Sequence, residues 1–173
     1  MSYFPEVKKW RIPEDAMRAS FSEMARDGNE GREGIVLWLG KRHDCIAEVS
    51  HVLLLRGEGV VRQPDLLTVS SDLMNDVADR AIELRLTLIG QIHSHGEGYS
   101  TDLSITDRKY GVVAPFFLSV VAPDYALRPN TSISECGVHI FDAQHGYRRL
   151  SDSEISDRVE LVAGGVRTIV VGE

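Results

Sequence analysis

Two histidines and a carboxylate stand at spacings that would let them bind one metal ion. His93 and His95 follow an apolar run at 86–89 that is typical of a buried strand. Because residues i and i+2 of a strand point to the same side, both imidazoles can reach one point. Ser104 and Asp107 stand three apart, as neighbours on one helix face do. Two neutral imidazoles and a carboxylate form a three-ligand zinc set with a fourth position for water. The pattern therefore predicts one Zn²⁺ held by His93, His95 and Asp107.

Each half of this pattern also has a structural interpretation that needs no metal. A His-x-His pair at a strand end is typical of half-buried polar groups. Ser-x-x-Asp is the sequence of a helix N-cap with an acid in the first turn. Either fragment alone favours the structural interpretation. Their occurrence together within fifteen residues, at a strand–loop–helix junction, favours metal binding instead.

A segment further upstream completes a pattern known from one protein family. Glu33 opens the apolar stretch Glu-Gly-Ile-Val-Leu-Trp-Leu-Gly, which ends at Gly40. Together with the histidine pair and the Ser-x-x-Asp segment, this stretch resembles the signature of the JAMM (JAB/MPN) zinc metalloprotease family. The resemblance is to its prokaryotic, stand-alone, deubiquitinase-like type. It covers about residues 12–150, if the domain has ordinary dimensions.

Three features depart from the family's usual pattern. Gly96 stands where the family has Pro after the second histidine, and Val36 replaces a mid-strand Gly. A glycine in place of the proline is expected to loosen the loop without removing a ligand. The loop between the histidine pair and Ser104 has eight residues, one more than the common pattern. The longer loop makes Asp102 a rival ligand, but Asp107 is preferred because Ser104 then takes the family's serine place.

These residue types fit metal-assisted hydrolysis of an amide bond. Zinc lowers the pKa of its bound water to about 7, which provides a nucleophile far better than neutral water. Glu33, brought across from a neighbouring strand, is the candidate base that takes the water's proton and returns it to the leaving amine. The hydroxyl of Ser104 can donate a hydrogen bond to the oxyanion. The resemblance implies the same roles. Glu48 is a rival base, although a solvent-facing strand position explains it better.

The substrate class follows only from the resemblance. Related enzymes cut the isopeptide or peptide bond after the C-terminal Gly of a ubiquitin-like protein. Prokaryotic relatives often accompany ubiquitin-like activating and conjugating enzymes, including those of antiviral defence operons. The resemblance therefore implies an enzyme that removes a ubiquitin-like modifier from its targets or processes the modifier's precursor. Two alternatives stay open: a hydrolase of sulfur-carrier or small peptide conjugates, and a non-catalytic MPN scaffold. A zinc nucleoside deaminase needs a Pro-Cys-x-x-Cys segment, which the sequence lacks.

Composition narrows the class of protein and of partner. A chain of 173 residues, 43% of them hydrophobic, is long enough for one domain with a core of its own. Its formal charge of −7 argues against nucleic acid as the main partner. Cys45 and Cys136 match no metal or redox spacing, which fits a reducing cytoplasm. The sequence contains neither a signal peptide nor an apolar run that could span a bilayer. We therefore expect a cytoplasmic protein without a membrane partner.

The predicted elements form an α/β fold that can bring the functional segments together. The resemblance implies a single JAB/MPN domain over residues 1–173, with a mixed β-sheet flanked by helices in a layered sandwich like that of cytidine deaminases. Apolar stripes predict helices from Pro13 to about Asn29 and from Ser70 to about Leu84.

The sequence also gives predictions for the N-terminus, two connections and the C-terminal segment. Residues 1–11 are predicted to be irregular, 41–44 to form a turn, and 56–65 to form a loop rich in Gly and Arg. Residues 151–173 are predicted to add a helix whose apolar stripe reaches Val162, followed by an edge strand.

Overall fold

A mixed β-sheet of nine strands runs through the computed structural model, which describes residues 5–172. The helices are α1 (Glu14–Gly28), α2 (Ser71–Leu84), α3 (Ile105–Tyr110) and α4 (Asp152–Arg158). The strands are β1 (Lys9–Pro13), β2 (Ile35–His43), β3 (Ile46–Leu55), β4 (Val60–Arg62), β5 (Leu67–Val69), β6 (Thr87–Ser94), β7 (Leu118–Ala122), β8 (Gly137–Asp142), β9 (Gly146–Arg149), β10 (Val159–Val162) and β11 (Arg167–Val171). No helix within residues 5–172 has the length and apolarity that a bilayer crossing requires.

The order of the strands places the histidine-bearing strand β6 inside the sheet. The main path runs β10-β1-β3-β2-β6-β7-β8-β9, and β11 pairs with the half of β3 that β1 leaves open. Strand β2 is antiparallel to β3 and β6, whereas β6 and β7 run parallel. Strands β4 and β5 form a separate hairpin. The predicted α/β class, with a mixed sheet flanked by helices, is confirmed.

Helices cover both faces of the sheet, so the central strand β2 is buried on both sides. On one face, α1 packs Phe21 and Met24 into a cluster that contains Trp10 and Trp38. The indole Nε1 of Trp38 donates a hydrogen bond of 3.0 Å to the hydroxyl of Ser20 on α1. On the other face, α2 contributes three residues to a second cluster, Leu73, Val77 and Ala81. Burial of these two faces fixes the strand that follows Glu33.

The predictions for the two helices were correct, and those for the chain ends were partly wrong. Helix α2 begins after Ser70, whose hydroxyl accepts the backbone N–H of Leu73 as the cap signal predicts. Residues 9–11 of the stretch predicted to be irregular form, together with residues 12 and 13, strand β1, which lies between β3 and β10. Residues 1–4 of that stretch lie outside the described residues. The predicted C-terminal helix ends at Arg158, and the remainder of its apolar stripe is strand β10. Pairing between segments distant in sequence overrides the local pattern in both places.

Two connections near the centre of the chain also differ from the prediction. Strand β2 continues to His43, so the turn is the residue pair Asp44–Cys45, both with positive φ. This conformation matches the tight two-residue hairpin turns that follow the twist of a sheet. The predicted loop at 56–65 contains strand β4, which pairs with β5. The β4–β5 hairpin forms one wall of the site described below.

The glycine that ends the Glu33 segment sits where two strands come unusually close. The register between β2 and β3 shifts between Leu39 and Gly40. A Cβ atom at Gly40 would lie 1.7 Å from the carbonyl oxygen of Glu48. No side chain fits this approach, so the bulge requires glycine at this position.

Candidate metal centre

The two histidines sit at the carboxyl end of β6, where neighbouring strands fix the backbone. His93 pairs with Ile35 of β2, and the backbone N–H of His95 donates to the carbonyl of Ala122 at 2.9 Å. Ser94 faces away and joins β6 to the segment before β2, because its hydroxyl accepts the backbone N–H of Gly34 at 2.9 Å. Both imidazoles therefore emerge on the same side of the sheet edge, as the strand periodicity predicts.

The carboxylate comes from the first turn of α3. Ser104 is the N-cap of this helix, and its hydroxyl accepts the backbone N–H of Asp107 at 3.0 Å. The backbone N–H of Ser104 in turn donates to Oδ2 of Asp107 at 2.8 Å. This reciprocal pair is a capping box, with Asp in the place of Glu. The structural interpretation of Ser-x-x-Asp is therefore correct, and the capping box also directs the carboxylate towards the histidines.

Three side-chain atoms converge at one point. The Nε2 atoms of His93 and His95 lie 3.2 Å apart, and Oδ2 of Asp107 lies 3.4 Å and 3.1 Å from them. Tetrahedral zinc, with bonds of about 2.0–2.1 Å, holds its ligand atoms about 3.3–3.4 Å apart. Among the described residues, this is the one group of three or more His, Cys, Asp or Glu side chains placed to share an ion. The donor types and their separations fit a zinc ion.

The hydrogen bonding of the imidazoles also fits a cation. Nδ1 of His95 lies 2.6 Å from the carbonyl oxygen of Ser100, so Nδ1 carries a proton and Nε2 of the neutral ring presents a lone pair. This lone pair faces Oδ2 of Asp107, which is also an acceptor. A proton or a metal ion between the imidazole lone pair and the carboxylate oxygen removes the repulsion between these two acceptors. Histidines that bind metals commonly donate their other ring N–H to a carbonyl or carboxylate, which fixes the tautomer.

Burial and mutual attraction shift the ionisation of these groups. Burial favours neutral Asp107, but hydrogen bonds from both histidines outweigh it and lower the pKa of the carboxyl group. Burial also acts to lower the pKa of His95, yet the hydrogen bond to Asp107 and the carbonyl of Ser100 raise it overall. Both shifts favour a proton on the imidazole of His95 next to an ionised carboxylate when no metal is bound. A metal ion would replace that proton.

Glu33 lies in a cavity of about 150 Å³ whose lining also includes His95, Ser104 and Asp107. The residue precedes β2, and its backbone N–H donates to the carbonyl of Gln63 at 3.2 Å. It is only 7% exposed. Burial, with a further contribution from Asp107, raises the pKa of its carboxyl group to about 7. A carboxylate with a pKa near neutrality can both accept and return a proton.

The rival residues from the sequence are engaged elsewhere. Asp102 forms an ion pair with Arg149 and lies outside the cluster. Glu48 lies on β3, where its carboxylate contacts Arg11 at 3.2 Å and His43 at 2.8 Å. The structure therefore brings together Glu33, His93, His95, Ser104 and Asp107, the five residues selected from the sequence. The remaining histidines, at positions 43, 51, 139 and 145, lie outside this group.

The sequence did not identify the walls of the site. Asp65 and Leu67, from the hairpin, and Tyr99, from the loop after the histidines, line the same cavity as Glu33. A second cavity, of about 250 Å³, adjoins the cluster on the side of His93. The hairpin carries no recognisable motif, so only its fold reveals this role. The glycine after the second histidine also has a steric reason, because a Cβ at Gly96 would lie 2.8 Å from the hydroxyl of Tyr125.

Comparison with known proteins supports the same class of chemistry. No protein-family model matches the sequence. The chain is similar to a protein of Sinorhizobium fredii (strain NBRC 101917 / NGR234) named "Probable metalloprotease y4jG", with 29% identity over 170 residues. The similarity spans 94% of this chain and 100% of the relative. A relative of that name over nearly the whole length, together with the His-His-Asp cluster, supports a metalloprotease that binds a metal ion.

Solved structures share the fold. Protein DSY2949 from Desulfitobacterium hafniense superposes with a TM-score of 0.62 and 12% identity, over 90% of this chain and 94% of that protein. A protein from Salinibacter ruber superposes with a TM-score of 0.53 and 20% identity, over 82% of this chain and 88% of that protein. These similarities concern the fold alone.

Proposed function

We propose that this protein is a zinc-dependent peptidase of the JAMM type. The observation that carries the proposal is the convergence of His93, His95 and Asp107 at separations of 3.1–3.4 Å, with the buried carboxylate of Glu33 in the adjoining cavity. In this assignment the first three residues hold the ion, and Glu33 is the proton carrier. Ser104 lines the same cavity.

The side chains of this site would divide the work of amide hydrolysis among them. A bound zinc ion would act as a Lewis acid that lowers the pKa of water and polarises the substrate carbonyl. Glu33 accepts the proton that water loses and then gives it to the departing amine. The hydroxyl oxygen of Ser104 already accepts the N–H of Asp107, which leaves its own proton available to the oxyanion. The carbonyl of Ser100 keeps His95 in the tautomer that binds metal through Nε2.

The substrate in this proposal is a ubiquitin-like protein. The enzyme hydrolyses the bond after the C-terminal Gly, either to release the modifier from a target or to process its precursor. Activating and conjugating enzymes of the same operon, such as those of antiviral defence, would be its cytoplasmic partners. The site supports this assignment because two adjoining cavities open beside the cluster. An extended chain terminus can lie along them more readily than a folded surface can.

A cleavage assay tests the proposal. The probe is a β-grasp protein ending in Gly-Gly, fused through that Gly to a fluorescent reporter, and the protein is loaded with one equivalent of zinc. We expect wild type to release the reporter and Glu33→Gln to be slower by a factor of about 10²–10⁴. Glu48→Gln, which removes an equivalent charge on β3, should match wild type.

Each result has a distinct meaning. Equal rates for Glu33→Gln and wild type would reject Glu33 as the proton carrier. Cleavage of small peptide conjugates without cleavage of the fusion would reject the ubiquitin-like substrate. Zinc content measured on the same preparation distinguishes inactivity through lack of metal from a scaffold that binds metal without turnover.

A further inference from the structure

Two cavities adjoin the candidate metal centre, and only one of them is lined by acids other than Asp107. The acidic cavity contains Glu33 and Asp65 beside His95. The apolar cavity contains Ile35, Leu37, Val69, Met74 and Val112 beside His93. Leu67, Thr106 and Asp107 line both cavities, so the cluster lies at their junction. A substrate bond held at the cluster would have one side in each cavity.

The position of Glu33 determines which side of the substrate bond occupies which cavity. In the proposed reaction Glu33 returns a proton to the amine as the bond breaks, so the amine must lie within its reach. Glu33 lines the acidic cavity and is absent from the lining of the apolar one. The amine side of the substrate therefore occupies the acidic cavity, and the acyl side occupies the apolar cavity.

Asp65 presents its carboxylate to the amine side from a turn whose backbone is held in place. It lies in the turn between β4 and β5, where the backbone N–H of Gln63 donates to the carbonyl of Leu66 at 2.8 Å. The turn is held over the site because the carbonyl of Gln63 accepts the backbone N–H of Glu33 at 3.2 Å. The hydroxyl of Tyr125 donates to the carbonyl of Pro64 at 3.4 Å.

The carboxylate of Asp65 is exposed and can meet a group from outside the chain. Within residues 5–172, no cationic side chain lies within ion-pair distance of it, whereas acids outside the site such as Asp102 and Glu154 pair with arginine. It stands at the exposed rim of a cavity that already contains the buried carboxylate of Glu33. An exposed carboxylate in this position attracts a positively charged group from outside the chain.

We propose that Asp65 selects substrates with a positively charged residue on the amine side of the cleaved bond. The inference rests on the proposed function, because the direction of the bond comes from the role of Glu33. Lysine or arginine near the leaving amine would place its charge against Asp65. A modifier attached next to basic residues would then be released faster than one attached next to neutral or acidic residues.

Binding of product-like peptides tests the inference without turnover. The probes are two fluorescent peptides with a free amino terminus that differ only in lysine or norleucine at the second position. Zinc-loaded wild type should bind the lysine probe about two- to fivefold more tightly in low salt, and less selectively as salt rises. Asp65→Asn should lose this preference. Asp44→Asn makes the same change of charge at a distant, exposed turn and should keep it.

The same pair of residues placed after the cleaved bond of the reporter fusion gives the catalytic test. The ratio of kcat/KM for the lysine and norleucine fusions should fall towards one in Asp65→Asn. Equal preference in wild type and Asp65→Asn, in binding or in cleavage, would overturn the inference while leaving the proposed function intact. A binding preference that depends on Asp65, in a protein that cleaves neither fusion, would reject the proposed function. It would also reject the assignment of Asp65 to the amine side of a cleaved bond and leave it as a binding residue for cationic peptides. Melting temperatures of the variants verify folding.

Discussion

Oδ2 of Asp107 lies 3.1 Å from Nε2 of His95 while it also accepts the backbone N–H of Ser104 at 2.8 Å. One oxygen atom therefore belongs both to the cap of α3 and to the candidate metal centre. The sequence presented these two roles as alternatives. In the structure they support each other, because the capping box restricts the rotamer of the carboxylate before any ion arrives.

Replacing Asp107 by Asn should weaken metal binding strongly. The amide keeps the size of the side chain but removes the negative charge that balances the ion, so we expect zinc affinity to fall by at least about 10–100-fold. Titration calorimetry with a competing chelator measures this affinity. Asp102→Asn is the matched control, since Asp102 pairs with Arg149 and should leave the affinity unchanged. A larger loss of zinc affinity in Asp102→Asn than in Asp107→Asn would mean that Asp102, and not Asp107, is the ligand.

Arg62 and Asp27 should act together to hold the hairpin wall of the site. Nε of Arg62 on β4 lies 3.0 Å from Oδ2 of Asp27 on α1, and both side chains are 15% exposed. The N–H is not aimed at this oxygen, so the contact is an ion pair rather than a hydrogen bond. Arg62→Met leaves Asp27 without this partner and should reduce the free energy of unfolding by about 1–3 kcal/mol.

A double-mutant cycle separates the positioning role of this pair from its contribution to stability. In Arg62→Met combined with Asp27→Asn, the uncompensated charge is gone and much of the stability should return. KM for the reporter fusion should be higher than in wild type in both Arg62→Met and the double variant, and kcat should change less. The reason is that the hairpin carries Asp65 and Leu67 rather than the reacting groups. A fall in kcat at unchanged KM would contradict this role.

Gly40→Ala should destabilise the fold by about 2–3 kcal/mol through overpacking of the bulge. The new Cβ would meet the backbone of Glu48, which cannot rotate away as a side chain could. Chemical denaturation measures the change. Gly165→Ala is a suitable control because the nearest atom to its Cβ, in Asp15, would lie 3.7 Å away. Similar stabilities for the two variants would mean that the bulge can relax.

His139 should make the stability fall as the solution becomes acidic. Burial lowers the pKa of this imidazole to about 4, and its Nε2 has no hydrogen-bond partner. A histidine in the unfolded chain has a pKa of about 6.5, so between about pH 6.5 and 4 the unfolded chain binds a proton that the folded chain does not bind. The free energy of unfolding therefore decreases as pH falls from about 6.5 to about 4, by up to about 3 kcal/mol.

The variant His139→Asn isolates this contribution. Its amide can still donate to the carbonyl of Ser119, which lies 3.2 Å from Nδ1 of the histidine, but it does not titrate. The difference in unfolding free energy between wild type and variant should be largest near neutral pH and shrink as pH falls. Taking this difference removes contributions from other groups, including Glu33. A difference that is constant with pH would mean that the imidazole titrates normally.

The sequence predicted those elements whose formation depends on residues close to one another along the chain. The hydroxyl of Ser70 caps α2, and the alternation of strand residues placed His93 and His95 on one side. The sequence did not predict β1 and β10, because Trp10 pairs with Val159 across most of the chain and neither strand has a pattern of its own. Asp65 was missed for a related reason. Its place beside Glu33 depends on how the hairpin folds over the sheet, and no spacing in the sequence encodes that.

Helix α3 has six residues, none of them buried. A helix of this length is marginal in water without outside support. Without the ion, the carboxylate of Asp107 would contact only the two imidazoles and the backbone N–H of Ser104. Capture of the ion would therefore stabilise a helical turn that the capping box already holds. The backbone amide of Asp107, which donates to the hydroxyl of Ser104, thus reports occupancy through slower hydrogen exchange in the loaded protein than in the apo-protein.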